Sequence, residues 1–182
     1  MTSFQRPRSV QKIRAQAEKV LWEYQIRRPP IPVSEIAKDL GASVRYSPYE
    51  GELAGMLIRG EGQTIIGVNS LHHGNRQRFT ISHEIGHLLL HDGDAYIDRS
   101  FRINKRDSTS SKASDREEIE ANRFAAELLM PYSMLKADLS EYEIDIEDEE
   151  DIKELALRYK VSIQAMTHRI TNILDDILKE RY

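Results

Sequence analysis

The 182-residue sequence predicts an α+β fold in which a small antiparallel sheet packs on a pair of helices. Three observations predict this class. Apolar residues recur at helical spacing near the start of the chain and again beyond residue 75. Between these regions, three short segments have the composition of strands. The last two strands are separated by a glycine-containing turn, which indicates a hairpin.

The first element is predicted to be a helix over residues 9–26. Pro29 and Pro30 end it, because proline cannot continue a helix. Five residues fall on one side of this helix and are expected to face the core: Ile13, Ala17, Val20, Leu21 and Tyr24.

A second, short helix and the sheet are predicted next. Ser34 is placed as the cap of the helix, which ends near residue 40 with Gly41 after it. Strands are expected over residues 43–47, 55–59 and 64–69. The turn at residues 60–62 connects the last two strands into a hairpin.

The third helix carries the most informative motif of the chain, His83-Glu84-Ile85-Gly86-His87, which has the pattern H-E-x-x-H. Residues four apart lie on nearly the same helix face, about 6 Å apart along the axis. Two imidazoles at this spacing are able to bind one zinc ion. Glu84 projects roughly 100° away from His83, which places it near a water molecule at the metal rather than on the metal.

The surroundings of the motif favour a helix lining a cleft. Asn75 is expected to cap the helix start, and Gly93 follows its end. The alternative is a core helix whose histidines are satisfied by hydrogen bonds. The apolar face of the helix consists of Ile81, Ile85, Leu88 and Leu89. The polar face consists of Thr80, His83, His87 and His91.

A third metal ligand is expected in the helical segment 117–130. Glu118 extends its apolar stripe, where a carboxylate is costly unless it is paired or bound to a metal. Glu118 is therefore the best candidate and Glu117 the second, while Asn122 is placed to hydrogen-bond a ligating histidine. The apolar stripe consists of Ala121, Ala125, Leu128 and Leu129, and the opposite, solvated face of Glu120, Arg123 and Glu127.

On these motifs the chain resembles the ImmA/IrrE family of zinc metallopeptidases. The resemblance covers residues 30–41, the strand ending at Asn69, and the long segments 78–91 and 118–131. Two long matched segments are far more specific than H-E-x-x-H alone.

The resemblance implies a zinc site formed by His83, His87 and Glu118, with Glu84 as the catalytic base. It also implies a regulatory endopeptidase whose substrate is a helix-turn-helix (Xre-like) repressor protein, because well-described members cleave such repressors. Two alternatives stay open: a non-catalytic zinc-containing regulator that acts by docking, and the enzymatic half of a toxin–antitoxin or phage-immunity pair.

Composition agrees with a cytoplasmic protein that has no membrane segment. There is no cysteine, so disulfides and thiolate zinc ligands are excluded. The first residues lack the apolar core of a signal peptide, and no run approaches transmembrane length. The net charge of −4 argues against broad nucleic-acid binding.

Between the two zinc helices, the polar segment 104–115 is expected to be a loop. It is either a lid beside the metal or a solvated connection. The residue that stabilises the transition state is left open among four candidates: His91, Tyr96, Arg99 and Arg102.

The sequence predicts a boundary between a zincin-like domain, 1–140, and a C-terminal region, 141–182. The region begins with a run, 141–151, of eight acids and no base. Residues 152–170 resemble a helix-turn-helix, in which Ser162 caps the second helix and Met166 and Ile170 pack inward. No direct DNA binding is expected, because the acids repel phosphates. The residues placed to face a groove are Gln164, Thr167, His168 and Arg169.

Overall fold

The computed structural model describes residues 8–51, 53–60, 62–92, 95–99, 110–141, 144–146 and 148–180, with the backbone alone for 95–99, 110–114 and 179–180. It confirms the α+β fold. The elements in chain order are α1 (Val10–Glu23), α2 (Val33–Asp39), β1 (Ala42–Ser47), β2 (Leu53–Gly60), β3 (Gln63–Asn69), α3 (Gly74–Leu90), β4 (Ala95–Arg99), α4 (Ser110–Leu129), α5 (Tyr132–Glu141), α6 (Glu149–Tyr159) and α7 (Ile163–Glu180).

The sheet has four strands in the order β1-β3-β2-β4. β2 pairs antiparallel with β3 and with β4, as a small antiparallel sheet requires. β1 instead pairs parallel with β3, from Ala42 opposite Thr64 to Ser47 opposite Asn69. The parallel pair arises because β2 and β3 form a hairpin and it is the second arm, not the first, that lies beside β1. β4 was not predicted, since it falls in the connection between the two long helices.

The cap predicted for the second helix is wrong, and no cap was predicted for the first. Ser9 caps α1 through its side chain, which accepts a hydrogen bond from the Lys12 amide. Ser34 does not cap α2; the N-cap is Pro32, with no side-chain hydrogen bond. Ser34 is the second residue of the helix, two positions after the N-cap. Gly41 does end α2, with φ of +83°, a conformation that glycine adopts without strain.

The core lies between α1, α3, α4 and the sheet, and it continues into the C-terminal helices. The buried residues of α1 are those predicted, apart from Tyr24, which is partly buried at the helix end. Met166 and Ile170 of α7 belong to the same apolar cluster as Ile81 and Ile85 of α3. The division at residue 140 stays a prediction. Within the described ranges, none of the helices is long and apolar enough to cross a membrane.

Candidate metal centre

Helix α3 is held at both ends, which fixes the histidines that it carries. His73, not Asn75, is the N-cap, because its ring accepts from the Asn75 amide. The Asn75 side chain donates instead to the carbonyl of Val161, 2.9 Å away, so that α3 is tied to the turn between α6 and α7. At the other end, the Arg59 guanidinium donates to the carbonyls of His87 and His91, each at 3.0 Å. Gly93 lies outside the described residues.

The three predicted ligands converge at the face of α3 that meets α4. The Nε2 atoms of His83 and His87 lie 3.0 Å apart. Glu118 brings one carboxylate oxygen within 3.2 Å of His83 Nε2 and the other within 3.3 Å of His87 Nε2. One donor atom from each residue lies within 4.8 Å of the others, so that a single ion is able to contact all three.

The protonation states suit a metal. Burial lowers the pKa of His87 below its ordinary value, which favours the neutral, ligating imidazole. Burial by itself raises the pKa of Glu118, but hydrogen bonds and charge interactions with the two histidines outweigh it and lower the pKa to about 2. Glu118 is thus a carboxylate across the physiological range. Glu118 contacts both histidines, and no such contact is found for Glu117 among the described residues. The structure therefore favours Glu118 over the second candidate.

The ring nitrogen of His83 that faces away from the cluster has the predicted partner. Nδ1 of His83 lies 3.0 Å from Oδ1 of Asn122, one turn beyond Glu118 on α4. Since the amide oxygen only accepts, Nδ1 carries the proton and Nε2 keeps the lone pair that a metal ligand needs.

The predicted solvated face of α4 is wrong at two of its three positions. Glu120 and Glu127 are 4% and 2% exposed. Arg8 donates to Glu120 through its amide and its guanidinium, and His91 Nε2 lies 3.3 Å from the same carboxylate. Glu127 accepts from the buried Arg169. Both acids are buried because Arg8, just before α1, and Arg169 of α7 lie on this side of α4 and pair with them.

Glu84 is fully buried where α3 meets β2. Gly55 of β2 makes this possible: a Cβ at that position would lie 3.3 Å from Glu84 Oε1 and only 2.3 Å from Thr80. The predicted base, Glu84, is therefore packed against Gly55, where the strand has no side chain.

The remaining candidates for stabilising a transition state have different outcomes. His91 is buried and contacts His87 through Nδ1, at 3.1 Å. Tyr96 and Arg99 lie on β4, but their side chains are outside the described residues, as is the whole of Arg102. Residues 104–109 of the predicted loop are also outside them. Residues 110–115 are not a loop, because they form the start of α4.

The C-terminal region contains the two predicted helices, α6 and α7. The Ser162 side chain caps α7 by accepting from the Ala165 amide, and Met166 and Ile170 are buried as predicted. Arg169 does not face a groove; it is 6% exposed and pairs with Glu127. The prediction places Arg169 on the exposed face wrongly, because its partner Glu127 lies on a different helix.

An H-E-x-x-H helix with a glutamate from a second helix is the arrangement of a candidate metal site of the metallopeptidase kind. The chain belongs to the Peptidase_M78 family, described as the IrrE N-terminal-like domain, whose sequence profile matches residues 37–171. This confirms the resemblance to ImmA/IrrE proteins.

The fold is similar to that of a Mycobacterium tuberculosis transcriptional regulator, with a TM-score of 0.61 and 17% sequence identity. The match covers 88% of this chain and 46% of that one, so the chain spans about half the length of the regulator. No curated protein matches the sequence.

Proposed function

We propose that the chain is a zinc-dependent regulatory endopeptidase that cleaves a helix-turn-helix (Xre-like) repressor protein. The observation that carries the proposal is the convergence of His83, His87 and Glu118 on one point. Two neutral imidazoles and one carboxylate are a donor set that catalytic zinc sites use, with the fourth position left for water or substrate. The residues present therefore fit zinc.

A zinc ion in this site would supply a Lewis acid that acidifies water and polarises a peptide carbonyl. Glu84 is the residue that would accept the proton from the attacking water and deliver it to the leaving amine. His83, His87 and Glu118 would hold the ion. Asn122 would hold the His83 ring in the ligating orientation through its 3.0 Å hydrogen bond.

The regulatory part of the proposal is supported by the family and by the similar fold of a transcriptional regulator. A repressor presents a basic, folded surface. The acidic run 141–151 would suit such a partner, because opposite charges speed encounter and favour the correct orientation. A cytoplasmic location follows from such a substrate and is part of the proposal.

The test is cleavage of the candidate repressor on a gel with wild-type chain and with Glu84→Gln. The variant keeps the size of the side chain and removes the base, so we expect bound zinc to be unchanged and the cleavage rate to fall by roughly two orders of magnitude or more. Unfolded casein is the control substrate and should stay intact, since a regulatory protease takes its binding energy from one folded partner.

Two outcomes would contradict the proposal. Full activity of Glu84→Gln would remove the base from the mechanism. Repression relieved equally by wild-type chain and Glu84→Gln, without cleavage, would instead identify a regulator that acts by docking.

A further inference from the structure

His91, the C-cap of α3, and a buried glutamate of α4 form a chain of contacts that leads away from the candidate metal centre. His87 Nδ1 lies 3.1 Å from His91 Nδ1, and His91 Nε2 lies 3.3 Å from Glu120 Oε2. Glu120 in turn accepts from the Arg8 amide at 2.9 Å and from the Arg8 guanidinium at 2.8 Å. The two histidines are buried, and so is Glu120.

The positions of the protons along these contacts follow from one requirement: the ring nitrogen of His87 that binds the metal must carry a lone pair. If Nε2 of His87 is a ligand, the proton of its neutral ring is on Nδ1. That N–H then donates to His91 Nδ1, which places the proton of a neutral His91 on Nε2. This second N–H donates to the Glu120 carboxylate, which only accepts. Every donor in the zinc-bound state thus faces an acceptor.

We propose that His91 and Glu120 are positioning residues that fix the ring and the tautomer of His87, with Arg8 holding the carboxylate. They act through His87 and take no part in contacting substrate. The arrangement extends a histidine–carboxylate pair by one imidazole, and a ligating histidine held in this way is more basic and better oriented. The two ligating rings then differ: His83 is held by an amide, and His87 by a carboxylate through His91.

The same geometry makes His91 a positioning residue and argues against its role as the group that stabilises the transition state. Its Nδ1 faces His87 and its Nε2 faces Glu120, so both ring nitrogens point to partners within the protein. A group that polarises a substrate carbonyl needs a donor directed at the substrate.

The first experiment uses wild-type chain labelled with ¹⁵N-histidine and loaded with zinc, and reads the tautomer of each ring from two-bond ¹H–¹⁵N correlations. We expect His87 to carry its proton on Nδ1 and His91 on Nε2. A proton on Nδ1 of His91, or on both of its nitrogens, would overturn the proposal. No variant has to fold for this result.

The second experiment measures zinc affinity by competition with a chromophoric chelator, using Glu120→Gln and the matched control Glu127→Gln. Both glutamates are buried on α4 and paired with an arginine, but Glu127 does not contact a histidine among the described residues. Glu120→Gln should weaken zinc binding by about 10–100-fold, the effect expected for a partner of a ligating histidine. Glu127→Gln should leave zinc affinity unchanged even where it lowers stability.

This inference rests on the proposed zinc site, and different results would overturn the zinc site and the role of His91 and Glu120. Absence of zinc binding by wild-type chain would overturn both. Zinc binding by wild-type chain, with equal affinity in a folded Glu120→Gln, would overturn only the role of His91 and Glu120.

Discussion

Glu118 is the most exposed member of the donor set. Its side chain is 24% exposed, against 2% and 1% for His83 and His87. It also supplies the negative charge, since its pKa of about 2 keeps it ionised wherever the histidines are neutral. A carboxylate at the rim of two buried imidazoles would offset part of the charge of a divalent ion.

Glu118→Gln should therefore empty the site while the fold survives. The amide is nearly the same size, but it removes the charge and one ligating oxygen. We expect zinc affinity to fall by at least about 100-fold, more than the loss of an outer partner would cause. The measurement is chelator competition together with zinc content after gel filtration. Glu117→Gln is the matched control and should bind like wild type. Unchanged zinc binding by Glu118→Gln would mean that the third ligand is misassigned.

The sequence predicts the ligands but not the buried acids behind them, for a physical reason. His83, His87 and Glu118 are identified by spacing within a helix and by the cost of a carboxylate on an apolar stripe, which are local properties. Glu120 is buried by Arg8, 112 positions away, and Glu127 by Arg169, 42 positions away. Helical spacing shows which side of a helix is polar but not which other helix covers that side.

Helices α3 and α4 approach each other closely at Gly86, the glycine inside the H-E-x-x-H motif. A Cβ there would lie 3.1 Å from the Cα of Ala121, 3.2 Å from its carbonyl oxygen and 3.3 Å from Phe124 Cβ. These atoms belong to the backbone and the buried core of α4, so they have little room to move. The glycine thus sets the separation across which Glu118 reaches the two histidines.

Gly86→Ala should push α4 away from α3 by a few tenths of an ångström. Overpacking of about 2 kcal/mol, less about 1 kcal/mol of improved helix propensity, gives a net loss of stability of about 1 kcal/mol. Zinc affinity should fall as well, because the helix that moves carries Glu118. Urea unfolding and chelator competition measure the two effects.

Gly74→Ala serves as the matched control for this prediction. Gly74 begins the same helix, and a Cβ there would meet no atom within 4 Å. This variant should be as stable as wild type or slightly more so, with unchanged zinc binding. A Gly86→Ala chain that behaved in the same way would show that the helix separation is not set at this contact.

Local sequence predicts some of the strands, whereas others depend on pairing between distant parts of the chain. β2 and β3 are predicted because two segments with the composition of strands, joined by a glycine turn, identify a hairpin. The parallel pairing of β1 with β3 depends on which arm of that hairpin lies beside it, and no local signal encodes this choice. β4 is only five residues long and is recognised through its pairing with β2.

Three of the four Lys and Arg residues of segment 152–170 are engaged within the protein. Arg169 pairs with Glu127 of α4, Arg158 lies 3.2 Å from Asp138, and Lys153 lies 2.9 Å from Glu150. Arg14 of α1 adds a further link by pairing with Asp176 of α7 at 2.6 Å. The pairs of Arg158, Arg169 and Asp176 attach α6 and α7 to the rest of the molecule, whereas the pair of Lys153 with Glu150 lies within α6. Each pair places a carboxylate beside a cation that would otherwise be available to a phosphate backbone.

We therefore expect that the zinc-loaded chain does not bind DNA by itself, although α6 and α7 follow the predicted helix-turn-helix pattern. Non-specific affinity for DNA comes mainly from Lys and Arg placed against phosphates. Three of the four such residues in 152–170 pair with acids, and the run 141–151 adds eight acids nearby. The measurement is a gel-shift titration against the promoter that the proposed repressor controls, at low and at physiological salt. The repressor itself is the positive control on the same probe. Sequence-selective, salt-sensitive binding by the chain alone, at concentrations where the repressor also binds, would make it a DNA-binding regulator.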